Sequence, residues 1–314
     1  MSCVCSSRAR ACPLESSELL SARSLLSQTE ARHNAWKSRL IHAIPPSEFK
    51  EEEVQKLVDG MIERKGGLLR EPLEYVASKN LVWMPYYRIE LEYKRSRVDQ
   101  TMKLEETARG ETALNAMFCD CAESESELLM LFRPNYLKYD AVSHDPKADD
   151  AIGQVYQVDL DRVLTGLVNR RNEVEDEVYK LRSDLKKRYV RKRRLSIIFP
   201  MLGHLKEERE LSEKIAGLSA LRNIIGLCLN LNDDDVVSVR VQGYNTFYYP
   251  TLVSALKHRE NGAERFLVVN LVKTGSIRRG LNCDVSLSRL CSKNDECRKV
   301  MKATVDNSSL SVKR

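Results

Sequence analysis

The chain has little of what most catalytic signatures are built from. It contains five histidines, none in a recognisable pair with another ligand or base, so general acid–base chemistry has no evident owner. No glycine-rich phosphate loop, dinucleotide fingerprint, zinc-protease helix or nucleophile elbow appears in it. Nor is there a CysXaaXaaCys pair, the spacing tetrahedral zinc most often uses. Long apolar runs are missing too. The nearest, Ile215 to Asn232, is interrupted by Arg222 and Asn223 and stopped at Asp233, which reads as a buried amphipathic helix and not a membrane span. Arg8 and Arg10 near the N-terminus have no apolar segment beside them, so no secretory signal is expected. Nine cysteines, an odd number in a chain of 314 residues, then point to a reducing, cytoplasmic setting with mostly free thiols.

Hydrophobic content of 42% and charged content of 31% fit a globular protein with one charge-rich element. The net charge of +6 permits phosphate-rich partners without requiring them, so where the charge sits matters more than its sum.

Two stretches resemble copies of one unit. Val76 to Pro85 aligns with Val241 to Pro250 at a constant offset of 165, which also pairs Asn80 with Asn245, Leu91 with Leu256 and Gly110 with Gly275. Trp83 meets Tyr248 and Lys94 meets Arg259 in the same alignment. The order of expected elements agrees on both sides: helix, three or four strands, short helix.

Residues 1–13 read as a tail, and Leu14 to Ile44 as a helix stopped by Pro45-Pro46. Ser47 then caps a helix rich in early glutamates, with Val54, Leu57, Val58, Met61 and Ile62 on one face and Gly66-Gly67 at its end. From Tyr87 to Lys94 apolar and charged residues alternate, the signature of a strand with one wet face. A turn at Lys94–Arg97, a return strand over 98–107, a strand over 113–118 and an acidic helix over 123–132 follow. Pro85 belongs at an edge, a bulge or a strand start. Residues 133–152 read as a linker or irregular loop.

Leu160, Leu164, Leu167, Val174, Val178, Leu181 and Leu185 fall on an a/d heptad, with Arg171 the polar intruder. Pro200 and Gly203 break that helix, and a second spans 205–229. An antiparallel hairpin is the preferred pairing and a parallel coiled-coil dimer its competitor. The second β region runs from Val236 through Pro250, turns at Asn261-Gly262 and returns from Arg265. A strand over 277–285 and a helix over 288–301 close it.

The fold class expected is therefore α+β: two similar small sheet modules, or one sheet shared between them, separated by a long antiparallel coiled-coil hairpin. The divisions are 1–45 (tail and helix), 46–150 (first module), 151–230 (helical insert) and 231–314 (second module).

The sharpest charged feature is LysLysArgTyrValArgLysArgArg at 186–194, followed by the apolar 195–202. Lys186, Lys187, Arg188, Arg191, Lys192, Arg193, Arg194 and Phe199 are the candidate contact residues. They would engage a protein partner or a second copy, nucleic-acid phosphates, or an anionic membrane surface. The plainer alternative is a solvated helix face countered by Glu207, Glu208 and Glu210. The aromatics Trp83, Tyr86, Tyr87, Tyr248 and Tyr249 suit strand packing better than base stacking. LysThrGlySer at 273–276 lacks the nucleophile and the SerXaaAsn that its enzymatic counterpart needs, and reads as a turn. Cys119, Cys121 and Cys283 are weak zinc candidates, and AsnLeuAsnAspAspAsp at 230–235 lacks the spacing of a calcium loop. No metal or cofactor is expected. The function expected is a non-enzymatic interaction or scaffold protein, with nucleic-acid binding as the alternative and an enzyme with a site between the two modules as the second.

Overall fold

The computed structural model describes residues 40–65, 71–99, 102–147, 150–195, 204–231, 236–272 and 281–311. The expected tail and N-terminal helix up to residue 39, Gly66-Gly67, most of the apolar 195–202 run, Asp233–Asp235 and Lys273–Ser276 lie outside them.

The described chain is α+β, with six α-helices around one mostly antiparallel eight-stranded sheet. Its strands are β1 (Ile41–Ala43), β2 (Glu74–Asp99), β3 (Met102–Asn115), β4 (Val142–His144), β5 (Ala151–Ile152), β6 (Val236–His258), β7 (Glu264–Asn270) and β8 (Asn282–Cys283). The helices are α1 (Glu51–Met61), α2 (Glu125–Leu129), α3 (Leu160–Leu195), α4 (His204–Cys228), α5 (Val285–Lys293) and α6 (Asp295–Ser311).

The long strands β2 and β6 form the spine and pair antiparallel from Glu74–His258 to Arg95–Val236. Met84 faces Tyr249 at the centre, flanked by Trp83 opposite Pro250 and Pro85 opposite Tyr248. Trp83 and Tyr248, and Pro85 and Pro250, are the residues that stand 165 apart in sequence. The ladder therefore maps onto itself when the two strands are exchanged. Two of its three bulges obey the same rule: Ala77 is the extra residue between Val76 and Ser78, and Gln242 is the extra residue between Val241 and Gly243, while the third, at Val237 between Ser238 and Val236, has no counterpart in the ladder.

The outer contacts repeat in pairs. Ile44 N–H donates to Tyr248 O, and Gly153 N–H donates to Trp83 O, both at 2.9 Å. Ser47 N–H to Leu271 O matches Tyr156 N–H to Ala116 O, again both 2.9 Å. Ala116 N–H to Pro85 O (2.9 Å) matches Leu271 N–H to Pro250 O (3.1 Å).

Two sequence expectations are corrected here. Pro85 and Pro250 sit inside long strands, at neither a strand start nor a bulge. The side of β2 that Pro85 turns outward is where β5, paired to Val82 and Trp83, gives way to β3, which starts at Tyr86. Pro250 lies between Tyr248, bound by β1, and Thr251, bound by β7. A missing N–H costs no ladder bond at such a changeover. Second, residues 133–152 are no linker. They hold a 3-10 turn (Pro134–Lys138), β4 and β5, and they stitch both flanks of the spine.

Other boundaries moved. Ile41–Ala43 is a strand and not a helix end. The helix expected after Ser47 starts at Glu51, capped at Lys50 without a side-chain bond, its glutamates sitting at the positive helix end. β2 runs straight through the turn expected at Lys94–Arg97, and its pairing with β3 continues to Asp99 opposite Met102. The last helix divides at Asn294. There the Asn294 side chain accepts from Cys297 N–H (3.0 Å), starting α6, and donates to Cys121 O (2.9 Å).

The main core collects the spine, β3, the first turns of α3, the last turn of α4, and α5 with α6. α1 sets Val54 and Val58 among Leu256, Leu267 and Val269 in a second cluster. Along α3, Leu160, Leu164, Leu167, Val168, Val174 and Val178 are buried, each such side chain stabilising by roughly 1.5–3 kcal/mol relative to exposure. Arg171, the heptad's polar member, is buried with them at 2% exposure.

Candidate functional site

The candidate contact residues from Lys186 to Arg194 lie on the C-terminal part of α3. At about 1.5 Å per residue its 36 residues extend roughly 54 Å. Buried positions end at Val178, and beyond it only Leu181, Ser183 and Leu185 are even half-covered up to Tyr189. Ion pairs tie α3 to α4: Glu175 to Arg222 (3.1 Å), Glu177 to Lys214 (2.8 Å) and Arg188 to Glu207 (3.0 Å). Residue numbers rise along α3 as they fall along α4. The Glu177 carboxyl is held below its ordinary range by its hydrogen bond to Lys214.

Lys186, Lys187 and Arg188 are exposed, as are Lys180 and Arg182 one turn earlier. Arg188 is engaged by Glu207, and Lys187 by Asp184 (3.5 Å). Arg191, Lys192, Arg193 and Arg194 continue the helical backbone, their side chains outside the described residues, and Phe199 lies outside them altogether. Residues 179–213 hold eleven Lys and Arg against five Asp and Glu, an excess equal to the net charge of the whole chain, +6. The rest of the protein is neutral in sum.

The root of α3 is fixed to the sheet. Asp159 caps it by accepting from Arg162 N–H (3.1 Å). Asp161 accepts the N–H of Val241 (3.0 Å), the residue beside the bulged Gln242. The bulge thus supplies a free backbone donor, and the helix start takes it.

A second polar assembly lies at the centre of the spine. Arg133 donates to both oxygens of Asp284, Nε to Oδ2 at 2.9 Å and Nη2 to Oδ1 at 2.7 Å, while Nη1 reaches Met130 O and Phe132 O at 2.6 and 2.7 Å. Burial lowers the guanidinium's pKa, but the Asp284 charge and hydrogen bonds override it and hold the group above its ordinary range. Tyr136 donates to Asn270 Oδ1 (3.1 Å) and stacks on Tyr249 with centroids 3.8 Å apart, and Tyr86 meets both rings edge-on. Burial pushes all three phenols well above their usual range, so they stay neutral. Sequence reasoning missed the Arg133–Asp284 pair. Its one local signal was Arg133 closing the apolar run Leu128–Phe132; Asp284, after Leu281-Asn282-Cys283, had none.

Among the described residues no group of three His, Cys, Asp or Glu is placed to hold a metal ion. Cys119 Sγ donates to Ala116 O and Tyr156 O (both 3.6 Å), and Cys283 Sγ lies 3.8 Å from Ser288 Oγ. Cys121 instead neighbours Cys297. A cavity of about 40 Å³ beside Tyr136 and Phe247 has room for water and not for a metabolite. An open polar trough at the Gln242 bulge, edged by Glu90, Arg109 and Glu111, has no comparable enclosure. No described helix is long and apolar enough to cross a membrane.

Comparison with protein-family models, with curated proteins and with solved structures finds no match.

Proposed function

We propose that the chain is a non-enzymatic interaction protein in which a duplicated sheet frame holds an antiparallel helical hairpin, α3 with α4, whose basic tip contacts a partner. The observation that carries this reading is the mismatch between helix length and burial: α3 continues 17 residues past Val178, the last buried position among its described side chains, to Leu195. That is roughly 25 Å of helix which the frame does not need for its own packing.

Support for duplication comes from the self-matching register, the paired bulges at Ala77 and Gln242, and the paired outer hydrogen bonds. In the same correspondence Ser47 answers to Tyr156, so the 11-residue α1 answers to the first turns of the 36-residue α3. One half ends its helix after three turns, whereas the other triples it and sends it back as α4. An addition that the equivalent half does without is where a specific role is expected.

The test replaces Arg191, Lys192, Arg193 and Arg194 with glutamine and compares capture of partners from the source extract. Capture equal to that of the parent protein removes the tip from the proposal, and its loss with an unchanged circular dichroism spectrum supports it.

A further inference from the structure

We infer that the partner of the tip is a single strand of nucleic acid, held through its phosphates by α3 cations and through its bases by two tyrosines. The inference rests on the contact role proposed above for the hairpin.

Charge comes first. The excess between residues 179 and 213 equals the +6 of the chain, so the attractive field for a polyanion is centred on the tip. Within it, Lys180, Arg182 and Lys186 are exposed and make no ion pair among the described residues, unlike Lys187 and Arg188. They are the cations available to phosphates.

The tyrosines narrow the class. Tyr179 is 76% exposed and Tyr189 54% exposed, although nothing in the frame requires either ring to face water. Tyr179, Arg182, Lys186 and Tyr189 are spaced three, four and three residues apart, which puts them along one flank of α3. Rings bracketing two cations on one flank match how single strands are bound, bases stacking on aromatics while the backbone follows positive charge. A duplex would use the cations and leave the rings idle, because its bases are already stacked. An anionic bilayer would need an apolar outer face opposite the cations. The other outer flank of α3 here carries Lys180, Asp184 and Lys187.

The experiment is fluorescence anisotropy on the full-length protein with labelled oligothymidylate and oligouridylate of about 20 nucleotides, and with a matching duplex. If about four phosphates are neutralised, single-strand affinity falls about 50-fold between about 50 and 200 mM salt, from a slope near −0.7 per phosphate. Lys180→Glu, Arg182→Glu and Lys186→Glu together weaken binding at least about 10-fold at the lower salt. Tyr179→Ala with Tyr189→Ala weakens single-strand binding about 5-fold or more and leaves duplex binding unchanged. All five positions are exposed, and circular dichroism confirms that the variants fold. Absence of single-strand binding at the lower salt overturns the inference, as does binding that the charge variant retains or a duplex preference indifferent to the tyrosines. Sedimentation with phosphatidylserine vesicles, without oligonucleotide binding, also overturns it. If the oligonucleotides fail while tip neutralisation still abolishes partner capture, the contact role stands and only the nucleic-acid assignment falls.

Discussion

Arg133 and Asp284 lie 151 residues apart, yet each occupies the same station in its half of the sheet and each closes on the other. Arg133 N–H donates to Ala113 O and Asp284 N–H to Val268 O, both at 2.7 Å, and their side chains then meet bidentately across the spine. Asp284 also caps α5 through Leu287 N–H (3.0 Å). Removing one partner leaves a buried charge. Arg133→Met is expected to destabilise by about 3–5 kcal/mol in urea unfolding, and Arg133→Met with Asp284→Asn by clearly less, since asparagine keeps the cap.

Glu74 gives the acid side of the stability profile a handle. It is 4% exposed and accepts twice from Arg265 at 2.6 Å and once from Glu63 N–H at 2.9 Å. Burial raises its pKa, but these bonds outweigh it and hold the group below the ordinary glutamate value. A depressed carboxylate contributes stability above its unfolded pKa, near 4.3, and loses it as pH falls through the lower folded value. Melting temperature should therefore drop between pH 5 and pH 3 more steeply in the parent than in Glu74→Gln. Parallel curves would count against this role.

Gly153 and Gly166 should respond oppositely to a methyl group. A Cβ on Gly153 would lie 2.6 Å from Pro85 Cδ and 3.0 Å from Met117 Sδ, whereas one on Gly166 meets nothing within 4 Å. Gly153→Ala is expected to cost about 1–3 kcal/mol and Gly166→Ala, in a helix interior, to gain up to about 1 kcal/mol by the same urea measurement.

The buried thiols should resist alkylation. Burial raises Cys119 and Cys291 to about 12 and Cys228 to about 11. The thiolate is the reactive form, so iodoacetamide near pH 8 should modify these three only after unfolding, as peptide mass mapping would show. Labelling of the native protein at Cys291 would contradict the packing.

Excising the tip tests the separation of frame and contact element. Glu177 and Lys214 already touch at 2.8 Å, so a short glycine–serine linker can replace residues 180–213. With the buried anchors of α3 retained up to Val178, the melting temperature should stay within about 4 °C of the parent, about 1 kcal/mol for a protein this size.

Features whose signal is local were legible in the sequence. The alternation from Tyr87, the helix of α3 with its buried face up to Val178, and the turn at Asn261-Gly262, where Gly262 has φ +67°, all stand as read. Features set by distant neighbours were not. Pro85 reads as a stop, and only the handover from β5 to β3 explains why β2 continues through it. Ile41–Ala43 is a strand because Tyr248 and the segment at Val142–His144 lie on either side, which no periodicity in three residues can announce. The candidate tip residues were named from charge density and, for Phe199, from the apolar run that follows the cations. The tyrosine flank between them needed exposure to be known.

The exchange symmetry of the spine bears on how the chain must assemble. Each long strand finds its principal partner in the opposite half, so a fragment carrying either half alone uncovers the paired edge of its long strand, roughly 70 Å over Glu74–Arg95 at about 3.3 Å per residue. That edge is complementary to its own copy, turned end for end about the residue at Met84 or Tyr249. Severed halves would be drawn into homodimers. In the intact chain, tethering makes the partner half the nearest edge, so the covalent connection protects each half from its own copies.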